Sequence, residues 1–186
     1  MPFTVTDFPG LVIFEPAVFS DDRGFFFESF NELTFQNQGI ATHFVQDNQS
    51  FSKFGVVRGL HYQLNPHAQS KLVRVLSGAI LDVVVDLRQG APGFGKTFEI
   101  ELTAENRKQL FIPKGFAHGF SVLSEMAEVM YKCDQFYNKE SEGGIIYNDP
   151  SLRINWRIPA GKEIVSSKDI LLPSFAQCRN SFTFAG

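Results

Sequence analysis

The chain has 186 residues, of which 44% are hydrophobic and 20% are charged. This length and composition predict one folded domain with a hydrophobic core, spanning residues 1–186, and they exclude an intrinsically disordered chain. The formal net charge of −3 gives no attraction to nucleic acid or to an acidic membrane, so neither is expected as a partner.

Short runs rich in aromatic and β-branched residues recur along the chain, which contains 21 phenylalanines. Turn signals such as Ser77-Gly78 and Pro113-Lys114-Gly115 separate these runs, and together the two patterns predict strands. Many short strands at close spacing are typical of an antiparallel sandwich or barrel, with the jelly roll as the leading candidate. In chain order the predicted strands are Val12–Phe14, Gly24–Phe30, Phe44–Ser52, Val56–Gln63, Lys71–Ser77, Ala79–Leu87, Lys96–Leu102, Lys108–Ile112, Ala117–Leu123 and Ala127–Phe136.

Only a few short helices are expected. One is predicted at Asn31–Gln38, and the Asp149–Leu152 region is expected to hold a single helical turn. From about residue 155 onward the sequence is irregular and polar, yet it remains rich in Ile, Leu and Phe. We therefore expect this tail to pack onto the barrel or onto a partner chain, because water disfavours exposed apolar surface.

The N-terminal residues lack the basic region and apolar run that a secretory signal requires. No stretch is long and apolar enough to span a bilayer. The cysteines, Cys133 and Cys178, lie far apart in the sequence and are expected to be reduced thiols. Together these features predict a cytoplasmic protein.

Two segments in the middle of the chain concentrate side chains capable of chemistry, Arg58–Val75 and Pro113–Phe120. They resemble the paired motifs of the cupin superfamily of small β-barrels. The positions that ligate metal in metal-binding cupins are occupied here by His61, Gln63, Lys71 and His118. An ammonium repels a divalent cation, and an amide is a weak ligand for a transition metal. The sequence therefore predicts a pocket without metal.

Side chains alternate between the two faces of a strand, so His61 and Gln63 share one face, with Tyr62 on the other. If such faces line the barrel interior, one cavity holds His61, Lys71, His118, Tyr131 and Tyr137. A base, a fixed cation and a phenolic acid are the groups needed to remove a proton next to a carbonyl. The same alternation puts Arg58 opposite His61, so both reach the cavity only if Gly59 marks a kink or bulge, or if Arg58 lies beyond the strand.

Further segments make the resemblance closer. From about Val12 to Asp169 the chain resembles the dTDP-4-dehydrorhamnose 3,5-epimerase family. The resemblance implies a homodimeric, metal-free jelly roll that needs no cofactor. It also implies conversion of dTDP-4-keto-6-deoxy-D-glucose to dTDP-4-keto-L-rhamnose, by inversion at C3 and C5, in dTDP-L-rhamnose biosynthesis. The segments that carry it are Asp21–Glu28, Val45–Ser50, Gly55–Gln63, Lys71–Val75, Asp82–Arg88, Ile112–Phe120 and Asn148–Pro150.

The resemblance also implies residue roles. His61 is the expected base, Asp169 supports its imidazole, and Tyr131 is the acid that reprotonates from the other face. Lys71 is expected near the C4 oxygen, where it would hold the enolate. The expected substrate-binding residues are Arg23 and Arg58 for the diphosphate, Glu28, Gln46 and Asn48 for the nucleotide and sugar, His118 near the ketone, Tyr137 on the thymine, and Glu142 and Lys168 at the rim.

Three other functions are compatible with parts of this pattern. A sister enzyme of the same fold would invert C3 alone, although Tyr131 favours the double inversion because C5 needs a proton donor on the far face. A catalytically silent cupin would bind a nucleotide sugar but lack the base or the acid, and both are present here. A metal-dependent cupin oxygenase would need better ligands than Gln63 and Lys71.

Overall fold

The computed structural model describes residues 2–185. Its α-helices are α1 (Glu32–Gln36) and α2 (Ser167–Ile170), and single 3-10 turns lie at Lys139–Ser141 and Phe175–Gln177. The strands are β1 (Phe3–Val5), β2 (Val12–Phe14), β3 (Val18–Asp21), β4 (Gly24–Phe27), β5 (Gln46–Lys53), β6 (Val56–Gln63), β7 (Lys71–Ser77), β8 (Ala79–Asp86), β9 (Thr97–Thr103), β10 (Gln109–Ile112), β11 (Phe116–Val122), β12 (Met126–Cys133), β13 (Glu142–Gly144) and β14 (Ile164–Val165).

The strands form two large sheets and a separate hairpin. One sheet has the order β1-β2-β10-β7-β12-β5, and the other has the order β13-β6-β11-β8-β9. Neighbouring strands in both orders are antiparallel, whereas β14 joins β6 in parallel, and β3 and β4 pair with each other. This mainly β architecture confirms the predicted cupin-like jelly roll with a few short helices.

The barrel interior is the apolar layer between the two sheets. Val73 of β7, Val84 of β8, Leu110 of β10 and Phe120 of β11 belong to one buried cluster there, together with Val129 of β12. Residues from both sheets thus share one core, as expected when the inward-facing positions of facing strands interdigitate. Towards one end of the barrel this layer gives way to polar side chains, which surround a cavity.

The outer faces of the two sheets are covered by different parts of the chain. Phe35 of α1 packs with Phe14 on the outside of the first sheet. The last part of the chain covers the second sheet, where Trp156 and Phe182 join the cluster that contains Tyr62. The Tyr62 hydroxyl donates to the main-chain carbonyl of Arg179 at 2.5 Å. The tail therefore lies against the strand that also carries His61.

The observed elements agree with most predicted strands, and Val56–Gln63 and Lys71–Ser77 agree at both ends. The observed helix is shorter than predicted at both ends, since Asn31 is its N-cap, accepting a hydrogen bond from the Thr34 amide at 3.2 Å, and Gln36 is its last residue. The Asp149–Leu152 region is a turn rather than a helix, because the Asp149 carboxylate binds the Ser151 amide and hydroxyl. Elements that sequence reasoning missed are two to four residues long, namely β1, β3, β13, β14 and α2.

Among residues 2–185 there is no helix with the length and apolar character that crossing a membrane would need. Neither Cys133 nor Cys178 is in a disulfide, and Cys133 is buried beside the cavity. The carboxylates of buried β8 are paired within the fold, Asp86 with Arg88 and Asp82 with His118. The second of these pairs belongs to the cavity.

Candidate active site

A cavity of about 800 Å³ opens at the polar end of the barrel. This volume is typical of a pocket for a small organic ligand. Strands of both sheets contribute to it, together with the loop after β12 and the helix α2. Its lining includes Gln46 and Asn48 of β5, Arg58, His61 and Gln63 of β6, Lys71 of β7, His118 of β11, Tyr131 of β12, Tyr137, Glu142 and Asp169.

His61 and Asp169 form a hydrogen-bonded pair at one side of this cavity. The His61 Nε2 lies 2.8 Å from Asp169 Oδ1, and the carboxylate is buried whereas 35% of the imidazole is exposed. The Asp169 amide donates to Ser166 Oγ at 3.1 Å, which fixes the first turn of α2. No other hydrogen bond to His61 occurs among the side chains of residues 2–185, so its Nδ1 is available to a ligand.

The environment of Asp169 favours its charged form. Burial alone would raise the pKa of this carboxyl, but hydrogen bonds from His61 and from the Gly59 amide outweigh burial and hold the pKa below its usual value. An ionised carboxylate behind an imidazole fixes the tautomer of the ring and stabilises its protonated form. The pair is therefore suited to accept a proton through His61.

A bulge in β6 lets Arg58 and His61 share the cavity. His61 pairs with His118 across the sheet, but Arg58 pairs with Phe120, so two residues of β6 lie opposite one residue of β11. Gly59 provides the bulge, because its φ of +119° is unfavourable for a side chain and a Cβ there would lie 2.5 Å from Gly119 Cα. The kink that alternation required at Gly59 is thus present. Arg58 stands at the rim, where its Nε donates to Ser52 Oγ at 3.0 Å.

A second imidazole–carboxylate pair lies deeper in the barrel. His118 Nε2 is 2.7 Å from Asp82 Oδ1, and both side chains are buried. The other oxygen, Asp82 Oδ2, is buried and has no hydrogen-bond partner among the described residues. Sequence reasoning missed Asp82, although one signal was available. An acidic residue inside the apolar run Leu81–Val85 needs a buried partner.

Lys71 brings a cation next to this buried pair. Burial lowers the pKa of the Lys71 ammonium, and the Asp82 carboxylate opposes that effect. Burial also lowers the pKa of His118, again opposed by Asp82, so the imidazole favours its neutral form more than a free histidine does. The Lys71 Nζ lies 5.7 Å from the centre of the Tyr131 ring. Two nitrogen groups and a phenol thus surround the inner end of the cavity.

Tyr131 reaches the cavity from β12, where it pairs with Asn48 on one side and Val73 on the other. Burial raises the pKa of its phenol, which keeps the hydroxyl protonated, while the Arg58 guanidinium acts in the opposite sense. No hydrogen bond to the Tyr131 hydroxyl occurs within residues 2–185. A protonated phenol in such a position can give a proton to a ligand.

The outer part of the cavity is built around Tyr137. Its amide donates to Gln46 Oε1 at 3.0 Å, and its hydroxyl donates to Glu142 Oε2 at 3.3 Å. Glu142 also accepts from Lys168 Nζ at 2.6 Å. Gln46 and Asn48 are joined by a hydrogen bond of 3.1 Å. The predicted rim residues therefore form a connected group, with Lys168 in a small side pocket next to the cavity rather than in its wall.

Arg23 and Glu28 do not line the cavity of their own chain. Arg23 lies in the turn between β3 and β4, where its guanidinium pairs with Asp21 and 90% of its side chain is exposed. Glu28 follows β4 and accepts hydrogen bonds from the Asn31 side chain at 3.1 Å. The hairpin of β3 and β4 separates both residues from the rest of the predicted site.

Comparison with known proteins shows the family to which this chain belongs. Residues 5–177 match the family model described as dTDP-4-dehydrorhamnose 3,5-epimerase. A protein of that name from Shigella flexneri is 53% identical over 166 residues, covering 89% of this chain and 91% of the relative. The chain belongs to the dTDP-4-dehydrorhamnose 3,5-epimerase family.

Solved structures of the family agree with this assignment. The dTDP-4-dehydrorhamnose 3,5-epimerase from Elizabethkingia anophelis NUHP1 has a TM-score of 0.92 at 50% identity, covering 96% of this chain and 98% of that one. The dTDP-6-deoxy-D-glucose-3,5-epimerase from Legionella pneumophila, in complex with dTDP-4-keto-L-rhamnose, has a TM-score of 0.89 at 46% identity. That match covers 94% of this chain and 93% of the Legionella chain. Both the predicted family and the predicted enzyme class, an isomerase, are confirmed.

In this member of the epimerase family, the positions that ligate metal in other cupins have different contacts. The Gln63 side chain is occupied by three main-chain groups, and Lys71 presents an ammonium. Among residues 2–185 there is no group of three or more His, Cys, Asp or Glu side chains that could hold a metal ion. Independence of metal and of any cofactor stays a prediction.

Proposed function

We propose that this protein inverts C3 and C5 of dTDP-4-keto-6-deoxy-D-glucose to give dTDP-4-keto-L-rhamnose, on the route to dTDP-L-rhamnose. One observation carries the proposal. A carboxylate-backed imidazole, an ammonium and a protonated phenol line the same cavity. Each inverted carbon is next to the C4 ketone, so loss of its proton leaves an enolate that the cavity must stabilise. Relatives named for this reaction support the substrate.

In the proposed mechanism His61 is the base. Its Nδ1 takes the proton from the carbon next to the ketone, and Asp169 stabilises the resulting imidazolium through Nε2. The electron pair of the broken C–H bond moves to the C4 oxygen. Lys71, next to the buried His118, then holds this oxygen, because an ammonium offsets the developing negative charge.

Tyr131 completes the inversion by returning a proton to the same carbon from the opposite face. Burial keeps its phenol protonated until the carbanion forms. Water then returns a proton to the Tyr131 phenolate and accepts the proton from His61, so no co-reactant is consumed. In the binding step, Arg58 holds the diphosphate, Gln46 and Asn48 contact the nucleotide and sugar, and Tyr137 stacks on the thymine, with Glu142 and Lys168 at the rim.

Solvent deuterium tests this proposal. The wild-type protein is incubated with dTDP-4-keto-6-deoxyglucose in D₂O, and the label is located by mass spectrometry and NMR. We expect deuterium at C3 and C5, with His61→Asn as the control that loses both labels while keeping a side chain of similar shape. Label at C3 alone would indicate the sister reaction and contradict the role of Tyr131. No label at either carbon, with tight binding retained, would indicate a nucleotide-sugar-binding protein.

A homodimer is part of the proposal. The hairpin of β3 and β4 carries Phe19, Phe25 and Phe26, which are 66%, 59% and 68% exposed in the single chain. A second copy that buries this apolar surface would be favourable, and a two-fold dimer is the most common arrangement. We infer that the hairpin brings Arg23 and Glu28 into the cavity of the partner chain, which would give these residues their expected role in substrate binding.

Mixing two inactive variants tests the dimer. Arg23→Ala and His61→Asn subunits are unfolded together, refolded and assayed. In a mixed dimer one cavity has both His61 and Arg23, so activity should return to about a quarter of the wild-type rate for random pairing of a two-fold dimer. Light scattering gives the mass in parallel. A monomeric mass, or a mixture no more active than its components, would contradict the inference.

A further inference from the structure

Gln63 is a buried side chain of the cavity wall that the proposed proton transfer does not use. It is 5% exposed. Its Nε2 donates to the carbonyl of His67 at 2.6 Å and to that of Phe136 at 3.2 Å, and its Oε1 accepts from the Asn138 amide at 2.6 Å. The amide thus holds the main chain on both sides of Tyr137.

Tyr137 is positioned by its main chain and by a single side-chain hydrogen bond, which its hydroxyl donates to Glu142 at 3.3 Å. The side chain is 56% exposed and belongs to none of the buried clusters. Its own amide is held by Gln46, so each residue from Phe136 to Asn138 has at least one main-chain group bound by a glutamine side chain. An exposed ring on an unanchored loop would sample many orientations, and binding would have to order it.

We propose that Gln63 is a positioning residue that orders Tyr137 for the nucleobase and so sets the affinity for the nucleotide half of the substrate. This proposal rests on the proposed function, in which Tyr137 stacks on the thymine. Under this proposal the cavity has two parts, whose side chains are held in place by different parts of the fold. The proton-transfer groups are fixed by strands and by α2, whereas the base-binding ring is fixed by a side-chain amide from β6.

The chemistry of the amide explains why glutamine suits this position. Two carbonyl oxygens and one N–H must be satisfied together, and a side-chain amide offers two donors and an acceptor. Glutamate keeps the acceptor for Asn138 but turns the donor side into a carboxylate oxygen that faces two carbonyls. Leucine leaves all three main-chain groups without this partner. Both replacements should therefore release the loop, by different means.

Steady-state kinetics and inhibition test the proposal. For Gln63→Glu and Gln63→Leu we expect KM to rise about tenfold while kcat stays within about twofold, because loss of preorganisation weakens binding without changing the transferred proton. The inhibition constant of dTDP should rise by the same factor. That of inorganic pyrophosphate, which lacks the base, should not change. A lower kcat at unchanged KM, or equal weakening of both inhibitors, would overturn the proposal.

Two controls separate positioning from general damage. Ser121 is also buried, at 0% exposed, and its Oγ donates to the carbonyl of Trp156 at 2.7 Å, outside the lining of the cavity. Ser121→Ala should lower the melting temperature and leave KM unchanged. If Gln63→Leu does not fold, Gln63→Glu retains the shape of the side chain and carries the same test.

Tyr137→Ala links the proposal to the function on which it rests. It should raise the inhibition constant of dTDP, and adding Gln63→Glu to it should raise that constant no further, because the ring to be positioned is gone. Unchanged dTDP inhibition in Tyr137→Ala would contradict the stacking role itself. An additive effect in the double variant would overturn only the role of Gln63.

Discussion

The cavity contains two imidazole–carboxylate pairs that have nearly equal nitrogen–oxygen distances but differ in their exposure to solvent. His61 and Asp169 are 2.8 Å apart at the mouth, where about a third of the imidazole is exposed. His118 and Asp82 are 2.7 Å apart inside the barrel, where both side chains are buried. Their histidines face each other directly across β6 and β11. Distance alone therefore does not distinguish the two pairs.

Their surroundings do distinguish them. Asp169 comes from α2, after all the barrel strands, whereas Asp82 is part of the central strand β8. A proton carrier must meet both the substrate and water, which the exposed pair can do. A group that only holds a charged oxygen benefits from burial, because electrostatic interactions strengthen where water is excluded. The comparison predicts different consequences when each carboxylate is neutralised.

The largest effect is expected for Asp169→Asn. An amide cannot stabilise the imidazolium of His61, so kcat should fall roughly 10²–10⁴-fold, as for loss of a general base. The free energy of unfolding should fall less than in Asp82→Asn, since α2 keeps its cap from Ser166. Deuterium exchange at C3 and C5 measures the rate, and urea unfolding measures the stability. A variant that exchanges at the wild-type rate would remove the distinction between the two pairs.

A smaller loss of rate but a larger loss of stability is expected for Asp82→Asn. The buried pair with His118 would lose its charge, which should lower the free energy of unfolding by about 1–3 kcal/mol. We expect kcat to fall about tenfold, as the oxygen-holding end is perturbed but the base is retained. The Asp82 carboxylate also opposes the lowering of the Lys71 pKa, so the alkaline limb of the kcat profile should move to lower pH. An alkaline limb at the same pH as in the wild type would show that Asp82 does not affect the pKa of Lys71.

The smallest effect is a difference in how stability depends on pH. Because burial holds the pKa of His118 below 6.5, the unfolded chain takes up a proton first as the pH falls. The contribution of neutral His118 is thus present above pH 6.5 and is lost as the pH falls through the folded-state pKa. Unfolding free energies of the wild type should decline more steeply between about pH 7 and 5 than those of His118→Gln. Parallel curves would contradict this assignment.

The Asp169 pair should respond in a more acidic range. Its carboxyl pKa lies below the ordinary 3.8, so its stabilising contribution is complete above that pH and is lost as the pH falls below it. The two pairs should therefore be separable in one titration of stability, with Asp169→Asn removing only the acidic part. This measurement distinguishes the two pairs without requiring substrate.

The fold was predictable because strand signals here are strong and local. Val56–Gln63 has β-branched and aromatic residues, a glycine at its bulge, and clear turns on both sides. The strands β3 and β14 were not predicted, because they are only four and two residues long and so show too little alternation of apolar and polar residues. Every residue of β3 is also exposed. Sequence patterns report the side of a strand that is buried, and a fully exposed strand offers no such pattern.

The site was predictable only where strands position it. His61, Lys71 and His118 were indicated by the cupin-like motifs on β6, β7 and β11, but the partner of His61 is 108 residues away and was reached only by family resemblance. Asp82 carried a readable signal, as an acid within an apolar run. No sequence pattern indicated the role of Gln63, because two of its partners lie on a loop 73 to 75 residues later and depend on how that loop folds.

The position of Asp169 late in the chain has a consequence for synthesis in the cell. Chains emerge and fold from the N-terminus, so every strand of the two barrel sheets down to β13 leaves the ribosome before α2 does. Lys71, His118 and Tyr131 are therefore synthesised well before Asp169, the carboxylate that supports His61. A chain whose translation stops before residue 169 would lack the partner of its base.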